Sequence, residues 1–295
     1  GSNPGLFGDQ VEELIGNRDA NVDAGLSVLD DDRTWDVVID NSGYIPRHVR
    51  DSAELLKGRV GRYLYISTTS VYDFEKTPSV THESPLHANF PDTEEVNGET
   101  YGPLKAECDL IVQDIFGDTA TIVRPTVVVG PGDRTDRFTY WVERFHKGGD
   151  IVCPPGPERE AAWIDVRDLT EWVVALAEND QPGIFNAAGP ASVMNHEQVM
   201  QGFRAFSAGP VRLHWATREQ LDEAGFAPPW FWSGKHSRHL DASASIAAGL
   251  SYRSLATSIR DTHEWWQEQS AERRANARRW PTAEQEQAVL AQLRG

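Results

Sequence analysis

The chain has 295 residues, enough for a full core in one large or two small domains. It carries 45 acidic against 28 basic residues, a net charge of −17, which repels phosphate backbones and excludes nucleic acid as the main partner. Two cysteines, Cys108 and Cys153, make no disulfide framework, no signal-peptide pattern opens the chain and no apolar run can span a bilayer, so a cytoplasmic protein without a membrane partner is expected. Trp35 to Asp40 is an apolar run ending in Asn41-Ser42-Gly43, the pattern of a buried strand and a turn. Residues 47–57 have helical spacing and stop at Gly58. Arg62 to Thr68 reads as a second buried strand, and a polar loop follows over about 73 to 100. Residues 101–116 form an amphipathic helix with Leu104, Cys108, Ile111 and Ile115 on one face. Ala120 to Val123 begins a third strand, with Val127 to Val129 continuing it before Gly130-Pro131-Gly132. A helix over 136–147, a short strand at 161–164, a helix capped by Asp165 and a strand at 184–186 complete this half.

Strands alternating with helices predict an α/β fold, a doubly wound parallel sheet with helices on both faces. After position 189 the pattern changes. Helical segments near 195–207, 217–224, 254–269 and 282–293 surround one clear strand, Val211 to Trp215. The division predicted is a catalytic domain over 1–188 and a smaller, mostly helical C-terminal cap over 189–295, lying over the sheet's carboxyl edge.

The chemistry centres on Tyr101 and Lys105, a Tyr-x-x-x-Lys pair. Residues i and i+4 share a helix face, so the two side chains can enter one site. A nearby ammonium favours tyrosinate and lowers the phenol pKa toward the working range. Such a phenol takes a proton from an alcohol or gives one to a carbonyl. Thr68, at the end of the neighbouring strand, can hydrogen-bond the same substrate oxygen. Only five basic residues are lysine (57, 76, 105, 147 and 235), which makes Lys105 more telling. Arg134 and Arg137 could reach an anionic substrate, and Trp230 and Trp232 could wall a sugar or aromatic one; solvated loop arginines and plain cap packing are the alternatives. Cys108 reads as a core thiol, His146 and His263 as ordinary helix residues, and Asp165 and Asp168 as cap and surface charges. His236 and His239 lack a ligand set at metal spacing, and no metal is expected.

In the stretches Trp35 to Gly43, Tyr63 to Tyr72, Tyr101 to Lys105, Val123 to Pro131 and Trp163 to Leu169, the chain resembles the extended short-chain dehydrogenase/reductases, the NAD-dependent epimerase/dehydratase group. The resemblance runs from about residue 10 to 190. It implies a Rossmann-like fold and a catalytic triad of Thr68, Tyr101 and Lys105, with Tyr101 as acid/base and Lys105 also holding the nicotinamide ribose. It implies NAD or NADP as cofactor. Asn41, Ser42, Gly43 and Ser67 would lie against it, Pro125, Thr126 and Val127 would line the nicotinamide pocket, and Asn17 and Arg18 would contact adenine. The expected activity is that of an NAD(P)-dependent oxidoreductase, epimerase or dehydratase. Its substrate would be a small hydroxyl- or carbonyl-bearing molecule, sugar-like or a secondary metabolite. A homodimer is left open.

The chain departs from the family at its start. The family opens with a strand, a glycine loop and a helix, because phosphates sit on the N–H groups of a helix N-terminus. Gly1, Gly5 and Gly8 mimic that loop but follow no strand, and by resemblance they fall after the family's second strand. The expectation is that the missing segment lies outside residues 1–295, with a truncated relative or a partner that fills the gap as the alternatives; without it the strand at 36–40 has a bare edge. Two rival functions are a cofactor-independent isomerase or lyase and a non-catalytic binding protein, as in related RNA-binding chloroplast proteins. The intact triad and the acidic charge count against the second.

Overall fold

The apolar run at Trp35–Asp40 forms strand β1, and the residues after it wind into helix α1 (Pro46–Leu56), with Pro46 at its first turn where no N–H is needed. A computed structural model describes residues 5, 7–75, 77, 79–229 and 239–294. After α1 come β2 (Val60–Ile66), the two-residue β3 (Ser79–Val80), α2 (Tyr101–Phe116), β4 (Ala120–Pro125) and β5 (Val127–Val129). Next are α3 (Arg137–Lys147), β6 (Gly149–Cys153), β7 (Glu160–Asp165), α4 (Val166–Glu178), β8 (Gly183–Ala187) and β9 (Gly189–Asn195). The remainder is α5 (His196–Ala205), β10 (Val211–Trp215), α6 (Arg218–Glu223), β11 (His239–Leu240), α7 (Ser243–Ala247), α8 (Leu255–Gln267), α9 (Ala271–Ala275) and α10 (Ala283–Arg294).

The chain folds as two compact units. The first comprises Gly1–Lys76, Glu83–Arg124 and Ala175–Phe185. Its sheet has the order β1-β2-β4-β8. β1 pairs with β2 in parallel, Val38 opposite Tyr63, and β2 pairs with β4 in parallel, Tyr63 opposite Ala120. Parallel strands need a crossover, and α1 and α2 supply two of them. Period-2 alternation sends Tyr63, Tyr65, Ala120 and Ile122 to one face of the sheet. There they pack with Val49, Ala53 and Leu56 of α1 and with Cys108, Ile111, Val112 and Phe116 of α2. Among the described residues β1 is the sheet edge, and Ile39 on it is exposed. Ahead of β1 the described residues form only two three-residue 3₁₀ turns, Gly8–Gln10 and Ser27–Leu29.

The second unit comprises Thr77–His82, Pro125–Val174 and Asn186–Gly295. The helical character expected after position 189 holds for α5, α6, α8 and α10, but strands are more numerous than predicted. β6 and β10 form a parallel pair, and β5, β7 and β9 form a three-stranded sheet in which β7 and β9 are antiparallel. β6 and β9 escaped the sequence reading because each opens on glycine, and β9 carries Pro190 at its second position, both local signals of a turn. Phe138, Trp141 and Phe145 of α3 pack with Val199, Met200 and Phe203 of α5 and Ile259 of α8. Asp165 accepts from the Arg167 N–H at 2.9 Å at the start of α4, as its capping role requires. Asp168 differs from its expected place as a surface charge. It is buried, accepts from the Arg253 N–H at 2.8 Å and pairs with the Arg253 guanidinium. A buried carboxylate needs such a partner, and this one lies too far along the chain for local pattern to reveal.

Candidate functional site

The site grows from the first two turns of α2. Tyr101 opens the helix, and Gly102 lets it approach the turn after β2. A Cβ on Gly102 would lie 2.4 Å from the Ser70 carbonyl oxygen, a distance no side chain tolerates. That close approach sets Tyr101 near the 3₁₀ turn Thr69–Val71, whose N-cap is Thr68. The Thr68 hydroxyl oxygen accepts from the Ser70 N–H at 3.2 Å, so its own proton is available to another acceptor. Tyr44, in the turn after β1, stands with its ring centroid 6.2 Å from that of Tyr101.

One turn on, Lys105 is buried. Its ammonium donates to the Gly43 carbonyl at 2.6 Å, to the Tyr65 hydroxyl at 2.5 Å and to the Ile66 carbonyl at 2.9 Å. It also lies 4.1 Å from the Tyr65 ring centroid and 5.4 Å from that of Tyr44. All three ammonium protons are thus taken by groups at the carboxyl ends of β1 and β2. Burial brings the Lys105 pKa down to about 8, against the opposing pull of Cys108, Asp109 and Asp40. The Cys108 thiol is itself pushed up to about 12 by burial and reads as an inert core thiol.

Eight residues after Tyr101 and four after Lys105, on the same helix face, the chain places a further polar group. Asp109 accepts from Arg124 Nε at 2.8 Å, and Arg124 Nη1 donates to the Tyr72 hydroxyl at 2.8 Å, all three buried. Burial pushes the Asp109 carboxyl up while the Arg124 guanidinium opposes it. The pair ties α2 to the end of β4 and to the turn bearing Thr68. Beside it the Ser67 hydroxyl is buried.

At the other end of the β1 turn, Arg18 forms a two-pronged ion pair with Asp40, at 2.8 and 2.5 Å, and reaches Ser42 Oγ at 3.2 Å. Tyr63 donates to the same carboxylate at 2.8 Å. Asn17 turns inward on its own segment, accepting from the Asp19 N–H at 2.9 Å. A cleft of about 250 Å³ opens here, lined by Asn17, Arg18, Ser42, Leu26, Val38 and Ile39.

Of the residues singled out from sequence, Thr68, Tyr101, Lys105, Ser67, Asn41, Ser42, Gly43, Asn17 and Arg18 all belong to the first unit. Pro125, Thr126, Val127, Arg134 and Arg137 belong to the second. Thr126 there donates its N–H to the Ala187 carbonyl at 3.1 Å, and Arg137 Nε donates to Thr135 at 2.7 Å. Arg134 is exposed. Trp230 and Trp232 lie outside the described residues, as does His236. Sequence reasoning missed Tyr44, Tyr65, Asp40, Asp109 and Arg124. Asp109 had a signal, since i, i+4 and i+8 from Tyr101 fall on one helix face. Among the described residues no group of three His, Cys, Asp or Glu side chains could hold a metal ion, and no helix is long and apolar enough to cross a membrane.

A family model described as the NAD dependent epimerase/dehydratase family matches residues 32–188, just over half of the chain. No curated protein sequence matches it. Among solved structures, UDP-glucuronic acid 4-epimerase from Bacillus cereus in complex with NAD is similar with 16% identity and a TM-score of 0.58, over 87% of this chain and 79% of that one. MoeE5 in complex with UDP-glucose and NAD has 15% identity and a TM-score of 0.60, over 87% of this chain and 85% of that one. dTDP-glucose 4,6-dehydratase from Bacillus anthracis in complex with NAD has 15% identity and a TM-score of 0.59, over 80% and 73%. At these identities the likeness is one of fold.

Proposed function

Since the chain belongs to the NAD dependent epimerase/dehydratase family, we propose that it is an enzyme acting on a sugar nucleotide, with Tyr101 as its acid/base. The observation that carries this reading is the Lys105 ammonium, buried on the same helix face as Tyr101 and held at the carboxyl ends of two parallel strands. Ligands of open α/β sheets bind at that edge. The structural neighbours in complex with UDP-glucose and UDP-glucuronic acid support the substrate class.

In this reading the Tyr101 phenol takes a proton from a sugar hydroxyl and returns it to the carbonyl. The Lys105 positive charge favours the tyrosinate that this requires. The Thr68 hydroxyl donates its free proton to the same sugar oxygen. NAD, when bound, supplies the exchange of hydrogen at the sugar carbon. Its ribose would lie beside Asn41, Ser42, Gly43 and Ser67 and would reach Lys105 by displacing one of the three protein acceptors of its ammonium. Its adenine would occupy the cleft at Asn17 and Arg18, whose apolar lining and Arg18 guanidinium suit a flat heterocycle. Roles for Pro125, Thr126 and Val127 at the nicotinamide, and for Arg134 and Arg137 toward an anionic substrate, belong to the same proposal. The residues present fit the ribose and the adenine. For the pyrophosphate, the described residues ahead of β1 offer two 3₁₀ turns and no α-helix N-terminus.

The rival reading is proton transfer by the same residues without a cofactor. One experiment separates the two. UDP- and dTDP-hexoses are incubated with the protein stripped of nucleotide, with and without added NAD, and the sugar is followed by NMR. Epimerised or dehydrated sugar only with NAD supports the first reading. Conversion without NAD supports the second, and no conversion of any sugar nucleotide overturns the substrate class.

A further inference from the structure

Lys105 has three ammonium protons, and each has a protein acceptor: two backbone carbonyls and one side chain, Tyr65. Tyr65 is held on both sides. It is fully buried, and its hydroxyl gives its single proton to the Gly43 carbonyl at 2.6 Å. Only its lone pairs then remain for Lys105, so the direction of the 2.5 Å bond is set: the ammonium donates and the phenol accepts. Burial pushes the Tyr65 phenol far above its usual pKa, which keeps that proton in place. The ring cannot move toward β1 either. A Cβ on Gly43 would lie 2.8 Å from it, so the two surfaces already touch.

We infer that Tyr65 is a positioning residue of this site, its hydroxyl wedged between the Gly43 carbonyl and the Lys105 ammonium so that the lysine is both fixed in place and kept charged. The inference rests on the reading of Lys105 as a site residue. The charged and titratable groups facing Lys105 are few. Asp40 lies at the end of β1, Tyr44 in the turn after it with its ring 5.4 Å from the ammonium, Cys108 and Asp109 on α2, Arg18 on the segment before β1, and Tyr65 on β2. Cys108 is a neutral thiol, and Arg18 is already paired with Asp40. Tyr65 is the side chain that accepts a hydrogen bond from the ammonium, and it can be changed without adding or removing a charge.

The test is an NMR titration of protein carrying isotope-labelled lysine, with no substrate or nucleotide present. Five lysines make the spectrum simple, and Lys105→Arg identifies the resonance. In Tyr65→Phe the ammonium loses one acceptor while the ring stays. A hydrogen bond to a charged group is worth about 1.5–3 kcal/mol, so the Lys105 midpoint should fall by about one to two pH units. A role limited to packing would lower the melting temperature and leave the midpoint where it was, and that result overturns the inference. If Tyr65→Phe does not fold, the wild-type protein decides. The Tyr65 hydroxyl proton, slowed in exchange by its bond to Gly43, should show a nuclear Overhauser contact to the Lys105 ε-methylene. A hydroxyl proton that is seen without that contact overturns the inference as well. Failure to turn over any sugar nucleotide would sink the proposed function and leave both of these readouts intact.

Discussion

Arg124 donates to the Asp109 carboxylate at 2.8 Å in a place that solvent does not reach, and the same guanidinium holds the Tyr72 hydroxyl. The pair joins side chains from three segments: the helix of Tyr101 and Lys105, the end of β4, and the turn after β2. Neutralising one member leaves the other charge buried alone. Asp109→Asn should cost about 3–5 kcal/mol, read from urea unfolding. The double variant Asp109→Leu/Arg124→Met should recover most of that loss. A double variant as unstable as the single one would show that the pair is worth more than its packing.

Tyr101→Phe should leave the unfolding midpoint unchanged and reduce turnover of the sugar nucleotide by about 10²–10⁴-fold. The substitution removes one oxygen at the helix start and keeps the ring. Full activity in this variant would remove Tyr101 from the proposed mechanism.

Gly102→Ala probes the approach of α2 to the turn at Ser70. The added methyl meets a backbone oxygen, so the helix start itself must shift. Overpacking of this kind costs about 1–3 kcal/mol. The shift also moves Tyr101 away from Thr68, so kcat should fall more than stability alone accounts for. Calorimetric melting together with steady-state kinetics checks both effects, and a variant with wild-type kinetics would contradict the close-approach argument.

Lys105 should leave a mark on stability against pH. Its pKa is about 8 in the folded protein, below the ordinary 10.5 of the unfolded chain. Between those values the unfolded state binds more protons, so the lysine's contribution to stability rises with pH across that window. Below about pH 8 its buried charge is a cost on the order of 3 kcal/mol. Subtracting the pH profile of Lys105→Met from that of the wild type isolates this contribution. The difference should climb from pH 8 to 10.5, and a flat difference would mean that the ammonium is not desolvated.

Several parts of the molecule were legible in the sequence because they depend only on neighbours along the chain. The helix over 101–116 follows from its apolar spacing, and the sharing of one face by Tyr101, Lys105 and Asp109 follows from 3.6 residues per turn. β1 and β2 follow from short apolar runs closed by polar turns. The core role of Cys108 follows from its place on the apolar side of that helix.

What only the tertiary structure decided is which distant groups meet. Lys105 finds Gly43 62 residues away and Tyr65 40 residues away, Arg18 finds Asp40, and Asp168 finds Arg253 85 residues on. Local periodicity states which face of an element is apolar, but it carries no record of the partner that covers that face. A carboxylate such as Asp168 or Asp109 reads as a surface charge until a guanidinium from another element is folded against it. The same physics separates the legible pair Tyr101 and Lys105 from the hidden one, Tyr65 and Lys105. The first is set by one turn of helix, and the second by the register in which β2 comes to lie beneath α2.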